Sequence, residues 1–126
     1  MEDNKNLTLL YVDDEEINLF IFTKSLEDHF NIITASTAKK ALELIKTRSK
    51  EIDVVISDMR MPLMSGLDLI QEARHFAPEL CYYILTGFSN NSDIIRAKEA
   101  HLIQGSFEKP LDIDIISSRI NEQCSL

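Results

Sequence analysis

Residues 53–66 read DVVISDMRMPLMSG. An apolar run, Val54-Val55-Ile56, leads to a carboxylate, Asp58, and then to Pro62 and Gly66. Apolar residues on both alternating faces suit a strand covered on each side by another layer. The residues that follow suit a loop, because Pro62 has no backbone donor and Gly66 tolerates dihedrals that other residues avoid. Asp58 is therefore expected at the carboxyl end of a central strand. That is the edge where open α/β sheets hold their ligands.

Outward from this stretch the chain alternates. Residues 7–12 (LTLLYV) form a first strand candidate, followed at once by Asp13, Asp14, Glu15 and Glu16. Residues 15–30 read as a helix, with Asn18, Phe22 and Leu26 in one stripe and Ile21 and Phe30 on the same side. Leu19 and Phe20 fall off that stripe, so the helix has more apolar surface than one face needs. Packing against a neighbouring helix is the expectation, and a partner surface is the alternative. Residues 31–35 (NIITA) are a short second strand. Ser36 or Thr37 can cap a helix reaching Arg48, with Ala38, Ala41, Leu42 and Ile45 on one side.

Beyond the central stretch, Leu67, Ile70 and Ala73 mark a helix that ends before Pro78. Residues 80–85 (LCYYIL) make a fourth strand, ending in Thr86 and Gly87. A weaker helix covers 90–100, and residues 102–107 (LIQGSF) make a fifth strand closed by Glu108-Lys109-Pro110. Ile113, Ile116 and Ile120 mark the last helix. Strands alternating with helices in this way imply an α/β fold: parallel crossovers, with helices on both faces of one sheet.

With 126 residues, one domain over 1–126 is expected, large enough to bury a core. The composition, 44% hydrophobic and 27% charged, is that of an ordinary soluble protein. Acidic residues number 21 against 13 basic ones, for a net charge of −8. That balance argues against direct nucleic-acid binding, which needs clustered Lys and Arg. The two cysteines, Cys81 and Cys124, show neither metal spacing nor a disulfide framework. Free thiols in a reducing cytoplasm are the expectation. The start, MEDNKN, is polar rather than signal-like. No apolar run approaches the roughly 18 residues a membrane span requires.

In a parallel sheet the strand ends share one edge. Asp13-Asp14, Asp58, Thr86 and Lys109 should meet there, contributed by separate segments. Clustered carboxylates repel one another, and a hard dication such as Mg²⁺ relieves that repulsion. A carboxylate beside it can act as a nucleophile toward phosphorus, giving an aspartyl phosphate. The phosphoryl oxygens then need the cation, the Lys109 ammonium, the Thr86 hydroxyl and backbone N–H groups. Each residue also has a plainer reading. Asp13 and Asp14 could cap a helix, Asp58 and Thr86 could serve turns, and Lys109 could be a solvated lysine. The ordered set, rather than any one member, carries the chemical reading.

That set resembles the receiver domain of two-component response regulators. The matching segments are YVDDEEIN, DVVISDMRMPLMSGLDLI, ILTGF and FEKP, spread over residues 7–120. The resemblance implies a flavodoxin-like, doubly wound (βα)5 sheet with strand order 2-1-3-4-5. It implies that Asp58 accepts a phosphoryl group from a sensor histidine kinase or phosphotransfer protein. Asp14 and Asp58 would bind Mg²⁺ with the Arg60 backbone carbonyl, and Asp13 would act through a metal-bound water. Lys109 would pair with the phosphate, and Lys109-Pro110 would be cis. Thr86 and Phe107 would switch, altering the face of the fourth helix, fifth strand and fifth helix for a downstream protein effector. A phosphorylation-dependent homodimer is compatible with such a face. No enzyme activity is implied beyond self-phosphorylation and self-dephosphorylation, and no membrane contact.

Some positions depart from the family's commonest pattern. Gly87 stands where Ala is frequent, loosening the loop, and Phe107 stands where Tyr is also common. Arg60 and Phe88 are large groups expected to restrict an attacking water and lengthen the phosphoryl lifetime. A phosphatase with an aspartyl-phosphate intermediate would carry a second Asp at the Arg60 position. A flavodoxin-like cofactor carrier would have a Gly/Ser/Thr-rich loop where Asp13-Asp14-Glu15-Glu16 stands. A pseudo-receiver would lack some of the key residues. The chain leaves no room for an output domain after the fifth helix. It is expected to be a stand-alone receiver or a piece of a longer regulator or hybrid kinase.

Overall fold

The computed structural model describes residues 6–87 and 91–124. Its elements run β1 (Thr8–Val12), α1 (Glu16–Leu26), β2 (Asn31–Ala35), α2 (Ala38–Arg48) and β3 (Val54–Asp58). They continue with α3 (Gly66–Ala73), β4 (Cys81–Thr86), α4 (Ser92–Glu99), β5 (Gly105–Glu108) and α5 (Ile113–Cys124). The five strands form one sheet in the order β2-β1-β3-β4-β5, and every pairing is parallel. This is the doubly wound order expected for the chain.

Period-two alternation sorts each strand between two cores. Leu10, Val12, Val55, Tyr82 and Ile84 pack with Ala41 and Ile45 of α2, Leu69 and Ile70 of α3 and Ile94 of α4. On the other face Leu9, Tyr11, Val54, Ile56 and Tyr83 meet Leu19, Phe22 and Leu26 of α1 and Ile116 and Ile120 of α5. All of β3 is buried, as a strand between two helical layers must be. Among the described residues, no helix is long and apolar enough to cross a membrane.

Two boundaries differ from expectation for identifiable reasons. α1 stops at Leu26 rather than Phe30, and the backbone closes with turns in which the His29 and Phe30 N–H groups donate to the Leu26 carbonyl. Phe30 is nonetheless 1% exposed, so its helical spacing reflects a core contact made after the helix has ended. Within α1, Leu19 faces inward while Ile21 is 45% exposed, the reverse of the expected stripe. Phe20 lies on the surface with Lys24 Nζ 5.8 Å from its ring centre. The two surplus apolar residues of α1 are thus divided: Leu19 packs and Phe20 stays exposed, as do Ile17 and Ile21.

β5 begins at Gly105 instead of residue 102, and the Gln104 side chain explains why. Its Oε1 accepts from the Tyr82 N–H at 2.6 Å while the Gln104 backbone N–H donates to the Tyr82 carbonyl at 2.8 Å. A side chain therefore fills a rung that a strand residue would have supplied. α4 is capped by Asn91, which accepts from the Asp93 N–H at 2.7 Å. Residue 90, where this helix was expected to start, lies outside the described residues. At α2 the cap is Thr37 rather than Ser36, accepting from the Lys40 N–H at 3.0 Å.

Candidate functional site

The site grows from the register of four adjacent strands. Val12 pairs with Ser57, so Asp13 emerges from β1 beside Asp58 at the end of β3. Asp58 pairs with Leu85, the residue before Thr86, and Thr86 pairs with Glu108, the residue before Lys109. Asp13, Asp14 and Asp58 each present a carboxylate oxygen within 4.8 Å of the others. Lys109 Nζ donates to Asp58 Oδ1 at 2.7 Å. The structure thus brings Asp13, Asp14, Asp58 and Lys109 together, and buries Thr86 on the neighbouring strand end. Lys109-Pro110 is a cis peptide.

The acidic members have different surroundings. Asp13 is fully buried, and both its oxygens are held: Oδ2 accepts from the Tyr11 hydroxyl at 2.6 Å and Oδ1 from the Glu15 N–H at 2.9 Å. Asp14 is exposed. Asp58 is 7% exposed, and burial pushes its pKa up. Lys109 opposes that rise through its hydrogen bond and charge, while Asp13 and Asp14 add to it. Three carboxylates facing one ammonium leave excess negative charge, which a hard, oxygen-seeking dication would neutralise. The donor set fits Mg²⁺. Asp14 and Asp58 are suited to direct ligation, and Asp13, already engaged twice, to an indirect role.

Arg60 is exposed at the start of the loop after β3. Phe88 lies outside the described residues. Phe107 is 3% exposed, its ring stacked on Tyr83 with centroids 4.8 Å apart. The Arg119 guanidinium lies 4.9 Å from the Phe107 ring centre and donates to the Ser106 carbonyl at 2.7 Å. Phe107 therefore already occupies the inward position.

Two supporting residues escaped the sequence reading or were read for another reason. Tyr11 looked like a strand aromatic, yet its hydroxyl orients Asp13. The available signal was its spacing, since residues two apart on a strand share a face. Burial raises the Tyr11 pKa, helped by Asp13, so the hydroxyl remains a donor. Tyr11→Phe keeps the ring, which stacks on Phe22 at 4.0 Å, and removes only the donor. A loss of about 2 kcal/mol is expected without metal, partly recovered by Mg²⁺. Urea unfolding with and without the cation checks this, and an unchanged midpoint would rule out a supporting role for the bond.

Gly66 was read as a dihedral requirement. No glycine among the described residues has positive φ; Leu63, at φ 72°, takes the left-handed position instead. Gly66 is needed for close approach, because a Cβ there would sit 2.4 Å from the Asp58 carbonyl oxygen and 2.8 Å from Ile84 Cδ1.

A parallel sheet in 2-1-3-4-5 order with an acidic cluster and a lysine at its carboxyl edge defines a receiver-type fold. The chain belongs to the response regulator receiver domain family, whose sequence pattern it matches over residues 9–121. It is 32% identical over 123 residues to a probable cyclic di-GMP phosphodiesterase of Vibrio cholerae, covering 96% of this chain and 27% of that protein. It is 26% identical over 116 residues to the sensor kinase CckA of Brucella abortus, covering 91% of this chain and 12% of that protein. The chain therefore spans about a quarter or less of the length of these curated relatives. A response regulator receiver domain protein from Clostridium thermocellum superposes with a TM-score of 0.85 at 32% identity, covering 92% of each chain. Receiver domains of two-component systems occur in regulators and in hybrid kinases, generally bind Mg²⁺ in an acidic pocket, and interact with histidine kinases and downstream effectors.

Proposed function

We propose that this receiver domain accepts a phosphoryl group on Asp58 from the phosphohistidine of a sensor kinase or phosphotransfer protein, as a cytoplasmic switch and not an enzyme. The observation that carries the reading is the Lys109–Asp58 contact of 2.7 Å beside carboxylates that converge within 4.8 Å. The Asp58 oxygen not held by Lys109 attacks phosphorus, the P–N bond to the donor imidazole breaks, and the imidazole leaves with that electron pair. Lys109 moves from the carboxylate to a phosphoryl oxygen, and the Thr86 hydroxyl serves another. Asp14, Asp58 and the Arg60 carbonyl would hold Mg²⁺, with Asp13 in an indirect role, and the cation would supply the remaining neutralisation. Arg60, two residues after Asp58, hinders an attacking water and lengthens the phosphoryl lifetime.

The signal leaves through the groove between α4, β5 and α5, lined by Ile94, Ile95, Lys98, Phe107, Ile115 and Arg119. Phosphorylation shifts its packing and so its affinity for a protein effector or a second copy. A non-phosphorylated interaction module is the weaker reading, because it has no use for the Lys109 contact with Asp58.

Magnesium titration tests the placement of the cation. At ten times its Kd, Mg²⁺ should stabilise the native chain by about 1.4 kcal/mol, read as a rise in Tm. Asp14→Ala should lose most of that gain, while Lys109→Ala should keep it and lose the phosphoryl response. Equal Mg²⁺ affinity in Asp14→Ala and the native chain would show that the cation sits elsewhere.

A further inference from the structure

The edge opposite Asp58 holds the two cysteines. Cys81 opens β4 and Cys124 closes α5, far apart in sequence. Both are free, partly exposed thiols. Cys81 Sγ lies 4.0 Å from the Gln123 carbonyl oxygen, and Cys124 Sγ lies 3.5 Å from the Tyr83 hydroxyl. The thiols line the same cleft with Ser49, Lys50, Asp53 and Glu79, so a small solute reaches both.

We propose that Cys81 and Cys124 form a disulfide when the protein meets a hydroperoxide, and that this bond fastens the end of α5 to the start of β4. The neighbouring Cys124 thiol lowers the pKa of Cys81, because an S–H beside it stabilises the thiolate. Arg74 adds to that lowering, while burial and Asp53 oppose it. The Cys81 thiolate attacks one peroxide oxygen, the O–O bond breaks, hydroxide leaves, and Cys81 becomes a sulfenic acid. The Cys124 sulfur then attacks the Cys81 sulfur. Water leaves, formed from the sulfenic hydroxyl and the Cys124 proton. Two thiols and one hydrogen peroxide thus yield one disulfide and two waters. A thiol reductant reverses the bond by exchange.

The consequence extends along the sheet. The Tyr83 hydroxyl contacts both Gln123 Oε1 and Cys124 Sγ, and the Tyr83 ring stacks on Phe107. Fixing Cys124 therefore fixes the end of the helix that carries Arg119 over Phe107. None of this depends on whether Asp58 is phosphorylated.

The test treats the full chain with micromolar hydrogen peroxide, followed by intact-mass measurement, tryptic mapping and thermal unfolding. Loss of two hydrogens is expected, with peptide 75–96 linked to peptide 120–126. The Tm should rise by about 10 °C, and dithiothreitol should reverse both changes. Cys81→Ser and Cys124→Ser should show neither change. Addition of oxygen without linkage, a bond joining two molecules, or a linked protein with unchanged Tm would overturn the proposal.

Discussion

Asp58→Asn is expected to form no phosphoryl adduct with acetyl phosphate and Mg²⁺ under conditions that saturate the native chain. The amide carries no formal charge, is a poor nucleophile and cannot pair with Lys109, which holds Asp58 Oδ1 at 2.7 Å. The rate should fall at least ~10³-fold, since the only attacking atom is removed. Mass spectrometry reads the outcome, with beryllofluoride binding as an independent probe. An adduct that persists, or that maps to Asp13 or Asp14, would mean that the nucleophile is assigned to the wrong carboxylate. The same variant reports on stability. Burial raises the Asp58 pKa above its unfolded value, so the folded chain holds that proton more tightly. The favourable contribution is present in acid and lost as pH climbs through the raised pKa. At neutral pH and without metal, the ionised carboxylate is a net burden. The Asn variant should then melt about 3 °C higher, with the gain vanishing below the unfolded-state pKa.

Gly66→Ala should destabilise the fold by about 3 kcal/mol, a large share of the stability of a domain this size. Ordinarily an alanine in a helix is better than a glycine by about 1 kcal/mol, so the sign itself is diagnostic. Gly66 is the first residue of α3, and the new Cβ would lie 2.4 Å from the Asp58 carbonyl oxygen. Relief requires moving either α3 or the Asp58 peptide, so adduct formation should fall together with stability. Gly87→Ala is the control: a Cβ there meets none of the described residues within 4 Å, and a change within about 0.5 kcal/mol is expected. Urea unfolding of both variants decides the matter, and equal costs at the two positions would remove the steric explanation.

The sheet was legible because strand polarity and chain alternation leave few ways to arrange such segments. Once the strands are parallel, Asp13, Asp14, Asp58 and Lys109 must end on one edge. Their convergence needs no knowledge of side-chain contacts. What stayed hidden depends on side chains replacing backbone. Gln104 supplies a rung from its amide, so an apolar run at residues 102–107 overstates the strand. Phe30 keeps helical spacing after the helix has turned away. α1 is apolar on more than one side, so periodicity alone could not choose between Leu19 and Ile21 as the inward residue. Tyr11 and Gly66 support the site from positions whose letters suggest only a strand aromatic and a loop.

The short β5 has a consequence for behaviour in concentrated solution. An open sheet ends in strands whose unpaired amides and carbonyls can template growth onto another molecule. At the β5 edge the strand is four residues long, and the Arg119 guanidinium donates to the Ser106 carbonyl at 2.7 Å. A bulky cation thus stands guard on that rim, where chains would otherwise add edge to edge and begin a fibril.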